Sequence, residues 1–142
     1  MKNLSLLLLF IPLVSFGQES NERYKLYSTV NMWTFLKLDT SNGLIQQLQY
    51  DTEGNNQYIT TIVKPRIDKK DESIGRFELY PTENMFNFLL LDQYNGLLWQ
   101  IQWSLDEKNR GIVHYFYGNN EEKFPQHMLD DNEFGSKKDS IN

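Results

Sequence analysis

The side chains able to do acid, base or nucleophilic work are few. There is no cysteine, so the chain has no thiolate nucleophile, no cysteine ligand for zinc and no disulfide. Histidine occurs at His114 and His127 only. His114 alternates with Ile112 and Phe116 along a strand-like run, which fits a packed or edge histidine. A histidine base needs a nucleophile and an orienting carboxylate within hydrogen-bond reach. No motif supplies them: nucleophile elbow, phosphate-binding glycine loop and zinc-binding helix are all absent. Asp39 and Asp92 can be drawn as a carboxylate pair for glycoside hydrolysis. Each opens an Asp-x-x-Asn-Gly stretch, however, where Asp serves the turn by bonding the backbone ahead of it.

Oxygen-rich loops at Asp39–Gly43 and Asp51–Asn56 lack the full spacing of a calcium loop. His127 with Asp130, Asp131 and Glu133 makes at most a weak surface site. No metal and no cofactor are expected. What remains is a surface. Tyr27, Thr29 and Asn31 share a strand face, and Tyr80, Thr82 and Asn84 repeat them 53 residues later. Gln47 and Gln49 recur in the same way as Gln100 and Gln102. Flat aromatic area combined with amide donors and acceptors is what sugar or peptide recognition uses. The candidate binding residues are therefore Tyr27, Tyr80, Gln49, Gln102, Thr29 and Thr82. The competing reading is that these residues satisfy sheet edges or pin strand register, because folding needs them in both copies and a single ligand site does not.

These pairs belong to a longer repetition. Arg23–Tyr50 and Arg76–Trp103 align without a gap over 28 positions, and fifteen are identical, among them Arg23/Arg76, Asp39/Asp92 and Asn42-Gly43/Asn95-Gly96. Internal repetition on this scale sets the architecture. Alternation with a period of two predicts strands at 24–30, 33–39, 44–50 and 58–63, then at 76–81, 85–91, 97–105 and 111–117. The second strand of each copy is apolar on both faces, as a central strand is. Asn-Gly at 42–43 and 95–96 marks tight hairpins. Residues 64–73, charged and carrying Pro65, link the copies, since proline cannot donate to a central ladder. The expected fold is all-β: two tandem four-stranded antiparallel repeats packed as a pseudo-twofold sandwich or a small barrel. One copy alone buries too little apolar surface to stand by itself.

The expected domain plan is a signal peptide at 1–17, a leader at 18–22, a two-repeat β domain at 23–117 (repeats 23–63 and 76–116), and a polar C-terminal tail at 118–142. Lys2, the apolar run Leu4–Val14 and the small residues of Ser15-Phe16-Gly17 carry the export pattern. The run is too short to span a bilayer, which takes about 20 residues. Without residues 1–17 the chain is one unit more negative than its overall −5. Such a charge, with no basic cluster, argues against nucleic acid.

The hairpins NMWTFLKLDTSNGLIQQLQY and NMFNFLLLDQYNGLLWQIQW resemble a unit of the type LDTxxGxxWQxQ. That unit is found in small exported or phage-associated bacterial proteins of unassigned function, and the signal ending Phe-Gly-Gln is similar to those of Bacteroidota exported proteins. The resemblance covers most of residues 23–116 and implies no activity. The first copy departs from it at Ile45, where the second copy has Trp99 one position further along. The functional expectation is an exported, non-catalytic binding or interaction module of the cell envelope, periplasmic or secreted. Its partner is an unknown protein or glycan, with no stable membrane insertion after cleavage. The alternative is a small secreted hydrolase acting on glycans or peptides.

Overall fold

The structure is a computed structural model that describes residues 22–116. The expected signal peptide, nearly all of the leader, and the tail lie outside the described residues. Eight strands follow in order: β1 (Tyr24–Ser28), β2 (Thr34–Asp39), β3 (Ile45–Gln49), β4 (Tyr58–Val63), β5 (Phe77–Pro81), β6 (Asn87–Asp92), β7 (Leu98–Gln102) and β8 (Gly111–Phe116). They form two antiparallel four-stranded meanders, β1-β2-β3-β4 and β5-β6-β7-β8. Each sheet keeps its own edges, and the two pack together as a sandwich, one sheet per repeat. The barrel is thereby ruled out.

Local chemistry sets the strand ends. The first strand stops at Ser28, not at 30, because Thr29 Oγ1 donates to the Asn31 and Thr34 carbonyls at 3.1 and 3.0 Å. Asn31 Oδ1 then accepts from the Trp33 amide at 2.9 Å, closing the β1–β2 turn. Thr82 and Asn84 repeat these bonds between β5 and β6. The seventh strand ends at Gln102, short of the expected 105. Gly43 and Gly96 close the two Asp-x-x-Asn-Gly hairpins with φ of +78° and +70°, a region that glycine enters freely. The linker carries a 3-10 turn at Lys69–Asp71.

The core between the sheets is Leu36, Leu38, Ile45 and Val63 from the first repeat, with Phe77, Leu79, Phe88, Leu90, Trp99, Ile101 and Trp103 from the second. These sets are not equivalent. Leu79 is 1% exposed and its counterpart Leu26 63%; Trp103 is 2% exposed and its counterpart Tyr50 36%. The first sheet turns inward the face carrying Leu36, Leu38 and Ile45. The second turns inward the opposite face of the same pattern. The second sheet buries Trp99, Ile101 and Trp103, whose counterparts Gln46, Leu48 and Tyr50 lie on the outer side of the first sheet. In the first sheet Ile45 and Gln47 point inward instead.

The candidate binding face

The six residues singled out from the sequence do not share one surface. Tyr27 is half-buried at the junction of the sheets, and its hydroxyl donates to Glu78 Oε1 at 2.8 Å. Lys25 Nζ reaches the other oxygen of the same carboxylate at 2.6 Å. Burial first, and then this bond to Glu78, pushes the Tyr27 phenol above its ordinary pKa of 10.0. Gln49 Oε1 accepts from Thr34 Oγ1 at 2.6 Å. Thr29 and Thr82 are committed to the turns described above. Tyr80 and Gln102 lie on the outer side of the second sheet, where Tyr80 is 44% exposed.

That outer face is the only place among the described residues where the expected polar-aromatic surface is open. Because Phe88, Leu90, Trp99 and Ile101 point into the core, the alternate side chains Leu89, Leu91, Leu98, Gln100 and Gln102 must point away from it. Glu78 and Tyr80 continue the face on the edge strand β5. On β8, His114 stands opposite Gln100 and Phe116 opposite Leu98. The two rings meet edge to face at 4.9 Å. Gln100 Nε2 donates to Asn87 Oδ1 at 3.1 Å, which ties the amide to the neighbouring strand β6. The face is thus apolar at its centre, with an imidazole, amides and one carboxylate around it.

Asp39 and Asp92 do the turn work expected of them. Asp39 Oδ1 accepts from the Ser41 amide at 3.0 Å, and Asp92 Oδ1 from the Tyr94 amide at 3.0 Å. Each also holds an arginine from the start of its own repeat. Arg76 Nε and Nη2 fork onto Asp92 at 3.0 and 2.7 Å, with side chains 8% and 0% exposed. Arg23 binds Asp39 at 3.2 and 3.1 Å from a half-exposed position. The bond to Asp92 raises the Arg76 pKa further above its ordinary value. These pairs were missed in the sequence, although all four residues belong to the identical set and stand 16 apart in both copies.

The hairpins themselves differ in setting. Thr40, Ser41 and Asn42 are buried beneath the linker, which donates from the Ser73 amide to the Ser41 carbonyl and from the Phe77 amide to the Thr40 carbonyl at 3.2 and 2.8 Å. Asn42 Nδ2 donates to Glu72 at 3.0 Å. Their counterparts Gln93, Tyr94 and Asn95 are exposed.

Asp51 accepts from the amides of Gly54 and Asn56, so its loop is closed by the backbone. Among the described residues no group of three or more His, Asp and Glu side chains is placed to hold a metal ion. His127 and its acidic neighbours lie outside them. Among the described residues no helix is long and apolar enough to cross a membrane. Comparison of the chain with protein-family models, with curated proteins and with solved structures finds no match.

Proposed function

We propose that the protein is an exported, non-catalytic interaction module whose working surface is the outer face of β5–β8. One observation carries this reading. Tyr80, Leu89, Leu91, Gln100 and Gln102 are identical to Tyr27, Leu36, Leu38, Gln47 and Gln49, yet the first set faces outward, with Tyr80 exposed and the other four half-buried, where Leu36, Leu38 and Gln47 are fully buried in the core. A sheet face built to be covered, and left uncovered, is a contact surface. Tyr80 and Phe116 offer flat aromatic area at its margins, and Gln102 and His114 offer polar groups beside it. The carboxylates that drew attention as catalytic candidates, Asp39 and Asp92, are engaged by arginines and turn amides. That engagement favours the binder over the hydrolase.

The test is to replace Tyr80 and Gln102 by alanine, singly and together, and to confirm that each variant melts cooperatively. Glycan-array binding and affinity capture from envelope extracts, with captured proteins identified by mass spectrometry, are then compared with the parent. Loss of a defined ligand in folded variants is expected. Retention of every ligand by the double variant would make the face purely structural. Export is tested separately by the N-terminal mass of the secreted or periplasmic chain, expected to begin at Gln18 and contradicted by a chain still carrying residues 1–17.

A further inference from the structure

The partner of that face can be named from the way the two repeats already meet. The internal contact joins opposite faces of one repeating pattern, so it is heterologous, and each end of the sandwich presents the face that the other end would need. The outer face of β5–β8 repeats the inner face of β1–β4 at Tyr80, Leu89, Leu91, Gln100 and Gln102, with Leu98 in place of Ile45. The outer face of β1–β4 in turn repeats much of the inner face of β5–β8. Leu26 stands for Leu79, Phe35 for Phe88, Tyr24 for Phe77, Leu48 for Ile101 and Tyr50 for Trp103. Of these, Tyr24 and Leu26 are 51% and 63% exposed.

We propose that the outer face of β5–β8 binds the outer face of β1–β4 of a second copy of this chain, head to tail, repeating the internal contact between molecules. This rests on the reading of that face as the working surface. Charge disfavours the symmetric alternative on one side: the β1–β4 outer face carries Lys37, so two such faces repel each other, whereas Glu78 on the other face is already paired with Lys25 of its own chain. The exposed hairpin residues Gln93–Gly96 fit as well. Their counterparts in Asp39–Gly43 are covered by the linker stretch Glu72–Phe77, ESIGRF, and the chain carries that stretch again as ESNERY at Glu19–Tyr24. Gly75 and Phe77, which bind Thr40 of the first hairpin, correspond to Glu22 and Tyr24, so a second copy brings the matching residues to the open hairpin with its first strand. The contact is weaker than the internal one. Lys37 and Gln46 stand where Leu90 and Trp99 fill the core, so the association is reversible and concentration-dependent.

The experiment is a complementation by mass, run on the exported chain by light scattering and sedimentation over a concentration series. Leu26→Arg spoils one end and Leu89→Arg the other, both at outward positions. Circular dichroism melts confirm folding, and Tyr80→Arg replaces Leu89→Arg if the latter does not melt cooperatively. The parent is expected to assemble, each variant alone to be monomeric, and the equimolar mixture to give a dimer through its two intact faces. A parent that stays monomeric, a single variant that still dimerises, or a mixture that stays monomeric each overturns the proposal. Failure here with a glycan or foreign protein still lost in Tyr80→Ala leaves the working surface standing. Loss of neither ligand nor assembly in folded face variants removes both.

Discussion

The two hairpin glycines offer a matched pair in which backbone strain is held constant and crowding is varied. Gly43 and Gly96 have φ of +78° and +70°, so alanine at either meets about 1–2 kcal/mol of left-handed strain. Roughly 0.4–1 kcal/mol of that is offset by the stiffer unfolded chain. Around Gly96 a new Cβ meets nothing within 4 Å. At Gly43 it lands 3.0 and 3.1 Å from two ring carbons of Phe77 and 3.1 Å from Arg66 Cγ. Carbon atoms settle at about 3.5–4.0 Å, so the Phe77 ring must retreat, and it is fully buried against the Trp99 side of the core. Overpacking of this kind adds about 1–3 kcal/mol. Gly43→Ala is therefore expected to cost about 2–4 kcal/mol and Gly96→Ala about 1 kcal/mol or less. For a domain of this size each kcal/mol lowers Tm by about 4–8 °C. Urea denaturation followed by tryptophan fluorescence, in dilute solution, measures both. Equal losses at the two positions would refute the crowding of the first hairpin and the covered setting it implies.

Removing Arg76 as Arg76→Met leaves Asp92 buried and unpaired, an expected loss of about 3–5 kcal/mol in denaturant titrations. Arg23→Met, at a half-exposed position, is expected to cost clearly less, and the reverse order would contradict the burial pattern. The Tyr27 phenol has a folded pKa raised above its unfolded value, so its contribution is fully present below about pH 10 and is lost as pH rises through the folded pKa. Alkaline denaturation is thus expected to be shallower in Tyr27→Phe than in the parent over that window, and identical profiles would mean that burial and the Glu78 bond do not hold the proton on the folded phenol.

Strand order, hairpins and repeat number were legible because their signals are local or doubled. Asn-Gly at both turns specifies a backbone that few other pairs adopt, and the identity between copies fixes the boundaries of the unit. The inward face was not legible. β2 carries Phe35 on one side and Leu36 and Leu38 on the other, and β6 is leucine-rich on both, so alternation gives no direction. The direction lies in the positions where the copies differ. Lys37 opposes burial of the face that Leu90 permits, and Gln46 opposes burial of the face that Trp99 fills. The same limit explains the candidate site: Tyr27 and Tyr80 read alike in sequence, but one is caught between the sheets by Glu78 and the other is left outside. Thr29 and Thr82 read as surface residues until their hydroxyls are seen closing turns.

The claim on which everything else depends is that two copies of one pattern bury opposite faces. Leu26 and Leu79 test it directly, being the same residue at the same repeat position, 63% and 1% exposed. The measurement is the difference in unfolding free energy between Leu26→Ala and Leu79→Ala, from urea titrations in dilute solution. Leu79→Ala is predicted to lose about 2–5 kcal/mol, as a buried leucine does. Leu26→Ala is predicted to stay within about 0.5 kcal/mol of the parent, as a surface substitution does. Comparable losses at both positions would mean that the two sheets bury the same face, and would contradict the account.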